Sequence, residues 1–182
     1  MPSPASGERS RDALPDRSFI RATAADVADV LAILDEAAAW LAAGGVRQWP
    51  AGFDAAWVTP AVERGETWLV RAGGDPAGTV TLDWSDPLWT DEPAPAGYLH
   101  RMAVRRRYAG TGRTILAWAA GQARDRDATA LRLDCVDGNA ALRAYYEAAG
   151  FRHRGDVEVG GAPGQRSAGG ARTLVSRYER SL

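Results

Sequence analysis

A mixed central sheet of about six to seven strands with helices on both faces, an α/β (α+β) arrangement, is the fold class that the order of segments in this sequence predicts. Two observations carry the prediction. Several short runs are apolar or alternate apolar with polar residues; the early ones are joined by a hairpin signal, and the later ones alternate with helical stretches. The run over 98–104 also ends in a glycine turn that opens a helix and leads to the next strand.

The chain of 182 residues is long enough for one well-buried core and short for two, and 46% hydrophobic with 25% charged residues is ordinary globular usage. The expected organisation is a disordered tail over residues 1–17, rich in proline, serine and charge, followed by a single domain over 18–182. The tail has no apolar stretch of signal-peptide length, and no run of about 18 apolar residues offers a membrane span. Cys135 is the single cysteine, so no intrachain disulfide is expected, which fits a reducing cytoplasmic compartment. A formal net charge of -1 gives no overall attraction to nucleic acid or to an anionic membrane. One cysteine and two histidines provide no metal-ligand spacing, and no metal is expected.

The elements follow in order. Residues 19–23 read as a first strand. Residues 26–43 place Val27, Val30, Leu31, Leu34, Ala38 and Leu41 at helical spacing, and Gly44-Gly45 ends that helix. A short segment with Gln48-Trp49-Pro50 leads to a second helix over 54–64, started by Asp54 or by Thr59-Pro60. Strands over 67–71 and 78–82 flank the hairpin signal Gly73-Gly74-Asp75-Pro76. A loop rich in Asp, Trp and Pro covers 83–95, and the strand over 98–104 reaches the glycine turn. After the helix that this turn opens come a strand over 131–135 and a helix over 140–149. A strand over 152–159, a glycine-rich connection over 160–170 and a last strand over 174–180 complete the chain.

The turn reads Arg107-Tyr108-Ala109-Gly110-Thr111-Gly112 and suits a phosphate. Two glycines let backbone amides converge at a helix N-terminus, where unpaired N–H groups and the helix dipole favour an anion, and Arg105, Arg106 and Arg107 add positive charge. A P-loop is excluded because all 22 basic residues are arginine and the motif needs lysine. The dinucleotide turn Gly-x-Gly-x-x-Gly fails as well, since Ile115 stands where its third glycine belongs.

These residues resemble the GCN5-related N-acetyltransferase (GNAT) family. Its acyl-CoA loop, Gln/Arg-x-x-Gly-x-Gly/Ala, is met by Arg107, Gly110 and Gly112, with Ile115 and Leu116 at the paired aliphatic positions of the following helix. A second signature is similar over Leu131-Arg132-Leu133-Asp134-Cys135, Asn139 and Tyr146-Glu147-Ala148-Ala149-Gly150-Phe151. The two motifs stand in the family's order and spacing, and looser similarity runs from about residue 18 to 180. The resemblance implies the GNAT fold and acetyl-CoA as co-substrate. It would be held by the backbone of Met102, Ala103 and Val104, by the turn Arg105, Arg107, Tyr108, Ala109, Gly110, Thr111, Gly112 and Arg113, and by Asn139 and Tyr146.

Acyl transfer from a thioester to an amine needs the amine neutral, the developing oxyanion stabilised and the leaving thiolate protonated. By resemblance Tyr146 is the general acid; as a bare residue it is equally a core aromatic. Tyr145 points about 100° away around the helix and is expected to pack or to lie on the surface. Asn139 is a helix N-cap candidate, with Asp137 competing. His100 is a candidate base, sharing a strand face with Tyr98, Met102 and Val104 if alternation holds, and Asp83 is the second. His153 is expected to be structural, and Cys135 a buried aliphatic substitute instead of an acyl carrier.

The acceptor is expected against the segments 40–57 and 83–95, where Trp40, Trp49, Trp57, Trp84 and Trp89 accompany Asp83, Asp86, Asp91 and Glu92. Such a surface suits a cationic, partly apolar amine. On the helices, Trp40 and Trp57 read as core anchors; the loop tryptophans stay open. The resulting expectation is an N-acetyltransferase for a small-molecule amine acceptor, with no nucleic-acid or membrane partner, and a homodimer is compatible with it. Acetylation of a protein N-terminus or side chain, and an acyl-CoA-binding module without turnover, are the alternatives.

Overall fold

The protein is described by a computed structural model covering residues 16–160 and 172–182. Among the described residues its elements run β1 (Arg17–Arg21), α1 (Val27–Ala43), α2 (Ala55–Glu63), β2 (Thr67–Ala72), β3 (Asp75–Asp83), β4 (Ala96–Val104), α3 (Thr111–Arg124), β5 (Ala130–Val136), α4 (Ala140–Ala148), β6 (Arg152–Gly160) and β7 (Arg172–Ser181). Single 3-10 turns cover Ala24–Asp26, Pro87–Trp89 and Arg106–Tyr108. The seven strands form one mixed sheet in the order β1-β2-β3-β4-β5-β7-β6, in which only the β4–β5 pair is parallel. The expected mixed sheet with helices on both faces is therefore present. Most of the expected glycine-rich connection, 161–170, and all but the last two residues of the expected tail lie outside the described residues. Arg17 itself already belongs to β1, opposite Ala72, so the strand begins inside the tail expected from sequence.

Two cores show which helix covers which face. Successive strand residues point to opposite sides of a sheet, and Leu69 packs with Val30, Ile33, Leu34, Val58 and Val62 of α1 and α2, whereas its neighbour Val70 packs with Ile115, Leu116 and Ala119 of α3. The apolar spacing of α1 thus becomes a buried stripe of Val30, Ile33, Leu34 and Ala38. Asp54 caps α2 by accepting from the Ala56 N–H at 2.8 Å. The alternative start at Thr59-Pro60 is not used: Pro60 lies inside the helix, where it removes one intrahelical donor.

Two irregularities of β4 place the site. Arg101 adopts φ 49, and the β3–β4 register shifts around it, from Thr81↔His100 to Thr79↔Ala103, so β4 carries one extra residue. This bulge overturns the expected shared face. Before it His100 points to the side of Tyr98; beyond it Met102 and Val104 pack with the α3 core and Ala103 with the α1 core. The second irregularity is that β4 and β5 pair only as far as Leu99↔Leu133. From His100 to Val104 the edge of β4 facing β5 has no strand paired to it among the described residues.

Candidate active site

A cavity of about 670 Å³ occupies the place where β4 and β5 part. His100, Met102, Ala103 and Val104 of β4 line it, with Asp134 and Val136 of β5, Asn139, Tyr145 and Tyr146 around α4, and Trp40 of α1. The candidates His100, Asp83 and Tyr146 thus border one space, together with the backbone segment expected to hold the pantetheine arm.

On the cofactor side, Gly110 precedes the first residue of α3 with φ 94 and ψ -23, a left-handed conformation that glycine takes without strain. It precedes a first helical turn whose N–H groups lack the usual i−4 carbonyl, that of Arg113 reaching only the Gly110 carbonyl at 3.3 Å. Thr111 fastens this turn: its hydroxyl donates to the Tyr108 carbonyl at 2.7 Å and accepts from Arg17 Nε at 3.0 Å. The Tyr108 hydroxyl donates to Asp75 at 2.9 Å. Nothing lies within 4 Å of a Cβ built on Gly110, so a pyrophosphate has room to approach; the donors and the space both fit that group. The arginines divide. Arg105 faces Glu36 at 3.2 Å and the Pro76 carbonyl, and Arg106 lies over the Trp40 ring at 4.5 Å. Arg107 is exposed beside the Tyr108 ring, and Arg113 is exposed on the first turn of α3.

Gly112 is required for a different reason. A Cβ there would sit 2.6 Å from the Tyr145 hydroxyl. Of the two expectations for Tyr145 the packed one holds: it packs against the α3 core and lines the cavity, and its buried hydroxyl has no hydrogen-bond partner among the described residues. Tyr146 is buried, with its ring among Tyr145, Phe151 and Tyr178 at centroid distances of 5.6, 5.8 and 6.2 Å. Burial, with Cys135, Tyr145 and Asp134 nearby, pushes its phenol far above the ordinary range and keeps it protonated. Burial likewise pushes the Cys135 thiol up to about 12, which leaves almost no thiolate at neutral pH. Asn139, not Asp137, caps α4: its side-chain oxygen accepts from the Leu142 N–H at 3.2 Å and its amide nitrogen donates to Gln48 at 3.1 Å.

On the acceptor side, of the two helical tryptophans expected as core anchors, Trp57 packs against the α1–α2 core and Trp40 does not. Trp40 is 52% exposed, and with Trp49 and Trp57 it lines the cavity. Trp89 is a buried anchor between the guanidinium groups of Arg132 and Arg177, at 4.8 and 4.9 Å, and Trp84 packs against the α3 core under Arg126. Asp91 and Glu92 are structural too: Asp91 binds Arg177 at 2.7 Å, and Glu92 pairs with Arg154. Asp83 ends β3 at the cavity and accepts from the Trp84 N–H at 2.7 Å. His153 pairs with Asp156 at 2.7 Å on the outer strand β6, away from the cavity.

Two site residues escape linear reading, Gln48 and Asp134. Gln48, buried, joins the 44–54 segment to β5 by accepting from the Val136 N–H at 3.3 Å. Asp86 and Asp134 stand with His100 in one cluster whose carboxylate and imidazole atoms lie within 4.8 Å of one another. The cluster is assembled from three separate elements, so ligand spacing along the chain does not reveal it. The one available signal is an acid at Asp134 between the apolar residues Leu133 and Cys135.

The comparisons with known proteins agree with this geometry. The model of the Acetyltransferase (GNAT) family matches residues 34–151. The uncharacterized N-acetyltransferase YesJ of Bacillus subtilis (strain 168) is 32% identical over 141 residues, 71% of this chain and 78% of YesJ. A GNAT-family acetyltransferase of Listeria monocytogenes 4b F2365 superposes with a TM-score of 0.70 at 25% identity, covering 91% of this chain and 95% of its own. The structure of yncA from Salmonella typhimurium with its cofactor acetyl-CoA superposes with a TM-score of 0.64 at 15% identity, over 92% and 94% of the two chains. With the family's two motifs folded around a gap between β4 and β5, this chain belongs to the GNAT acetyltransferase family and carries out acetyl-CoA-dependent acetyl transfer.

Proposed function

We propose that the acceptor is the primary amine of a small molecule, acetylated by direct attack while acetyl-CoA and amine are bound together, in one catalytic domain spanning residues 18–182. The carrying observation is that a single cavity is lined by Asn139, Tyr145 and Tyr146 and also by His100, Asp83, Asp134 and three tryptophans. About 670 Å³, shared with the acetyl end of the cofactor, is the range of small-molecule sites. Aromatic faces beside carboxylates suit an ammonium.

The co-substrate supplies an acetyl thioester, held by the remaining amides of the turn from Arg105 to Arg113, those of Arg105, Tyr108, Ala109 and Arg113 being bonded within the protein, and by the backbone of Met102, Ala103 and Val104. An N–H of this free β4 edge points at the carbonyl oxygen and stabilises the charge that grows there. His100 takes one proton from the acceptor ammonium, with Asp83 as the second candidate, and the freed nitrogen lone pair forms the new C–N bond as the C–S bond breaks. Tyr146 gives its proton to the leaving sulfur and is reprotonated by the proton that the new amide nitrogen sheds. The protonated thiol of Cys135 supports direct attack over an acyl-cysteine route.

A panel of small amines and of N-terminal peptides, incubated with acetyl-CoA and read by product mass, tests the reading. Turnover restricted to small amines is expected. Turnover restricted to peptides, or tight acetyl-CoA binding with no turnover on any acceptor, contradicts it.

A further inference from the structure

We propose that Asp86 is a positioning residue for catalysis: a buried carboxylate that holds the His100 imidazole in one tautomer and strengthens it as a base. The proposal rests on the reading of His100 as the base. Asp86 is fixed on one side and faces the imidazole on the other. Its Oδ1 accepts from the Leu88 N–H at 2.9 Å, and its Oδ2 lies 3.6 Å from His100 Nε2, an ion-pair separation longer than a hydrogen bond. The Asp86 side chain is only 1% exposed, against 17% for His100, so the carboxylate lies behind the ring and the ring borders the cavity.

The segment bearing Asp86 is tied down with unusual density. Arg177 bonds the Leu88 carbonyl at 2.8 Å and Asp91 at 2.7 Å, Arg132 bonds the Glu92 carbonyl at 2.7 Å, and Trp89 is clamped between the same two arginines. A helix cap alone needs only a neutral oxygen, which asparagine or serine provides without the cost of burying a charge. A carboxylate is accounted for by what stands opposite it, an imidazole that becomes cationic during the reaction. With Nε2–H directed at Asp86, Nδ1 carries the lone pair. The ammonium proton of the acceptor moves to Nδ1, the amine lone pair is released for attack, and the imidazolium formed is stabilised by Asp86. Asp134, on the cavity side of the same cluster, faces the incoming ammonium.

The charged groups around His100 are Asp86, Asp134 of β5, Asp83 at the end of β3, its neighbour Arg101, Arg177 opposite Asp134 on β7, and Arg64 across the cavity. Asp86→Asn changes one of them and keeps an oxygen for the Leu88 N–H. Removing a negative charge disfavours the imidazolium, so the His100 midpoint and the acidic limb of kcat/KM should both move to lower pH, by about one pH unit.

The chain has two histidines, so imidazole NMR of the full-length protein, with His153→Gln removing the second signal, reads His100 alone. The expected result is a Nε2–H tautomer in the wild type, and in Asp86→Asn a downward shift of the midpoint with mixed tautomers. A wild-type Nδ1–H tautomer overturns the proposal even if the variant does not fold, and so does an unmoved midpoint in folded Asp86→Asn. A midpoint that moves while the wild-type rate profile lacks it overturns His100 as the base and leaves the Asp86–His100 coupling standing.

Discussion

Gly112→Ala, made in the wild type and in Tyr145→Phe, tests why the cofactor turn carries its second glycine. The Cβ of alanine would lie 2.6 Å from the Tyr145 hydroxyl and 3.5 Å from the ring carbon that bears it. Reaching ordinary contact requires that hydroxyl to retreat by about 0.8 Å. Overpacking of this kind costs about 1–3 kcal/mol, offset in part by up to about 1 kcal/mol of helix propensity gained on replacing glycine. With phenylalanine at 145 the nearest atom is the ring carbon at 3.5 Å, so the clash disappears and only the propensity gain is left. Tyr145→Phe alone should be neutral or slightly stabilising, because the hydroxyl that it removes is buried without a partner among the described residues. Urea unfolding of the four proteins completes a double-mutant cycle, and a coupling of about 1–3 kcal/mol is predicted. Additivity within about 0.5 kcal/mol would refute the steric reasoning.

Gly110→Val forces a β-branched residue into φ 94 and crowds the pyrophosphate, so calorimetry should show weaker acetyl-CoA binding together with a lowered Tm; unchanged affinity in the folded variant would remove the turn from the cofactor site. Arg132→Ala takes from Glu179 its 2.8 Å partner, leaving only Arg154 at 3.9 Å, and frees the Glu92 carbonyl, which should cost about 3 kcal/mol in denaturant unfolding. The Cys135 thiol, raised by burial from 9.0 to about 12, stays protonated in the folded state while the unfolded thiol ionises above pH 9. The unfolded state then binds fewer protons, so stability falls between pH 9 and 12 by about 1.4 kcal/mol per pH unit from this group, a component that Cys135→Ala should remove. Tyr146→Phe should bind acetyl-CoA nearly as well as the wild type and lose roughly 10- to 1000-fold in turnover, and comparable turnover with a good amine would end its role as the acid.

Much of the fold is legible because local signals and tertiary needs coincide. Asp54 and Asn139 stand where a cap is needed, the apolar spacing of α1 becomes its buried stripe, and Gly110 supplies a left-handed residue before α3. The site is less legible because its geometry is made by irregularity and by distant partners. No local rule predicts an arginine at φ 49, yet that bulge at Arg101 decides which face of the sheet each β4 side chain beyond it takes. The roles of Trp40 and Trp89 escape local reading for a similar reason. Trp40 falls off the Val30, Ile33, Leu34, Ala38 stripe, whereas Trp89 is enclosed by arginines of β5 and β7 that lie far along the chain.

The central claim, direct transfer from acetyl-CoA to a small amine in one cavity, is tested most directly by initial rates with both substrates varied, joined to intact-mass analysis of the enzyme. Intersecting rate lines, CoA release matched one-to-one by N-acetylated amine, and no added acetyl mass on the protein are predicted. Parallel lines with an acetyl group on Cys135 would contradict the account.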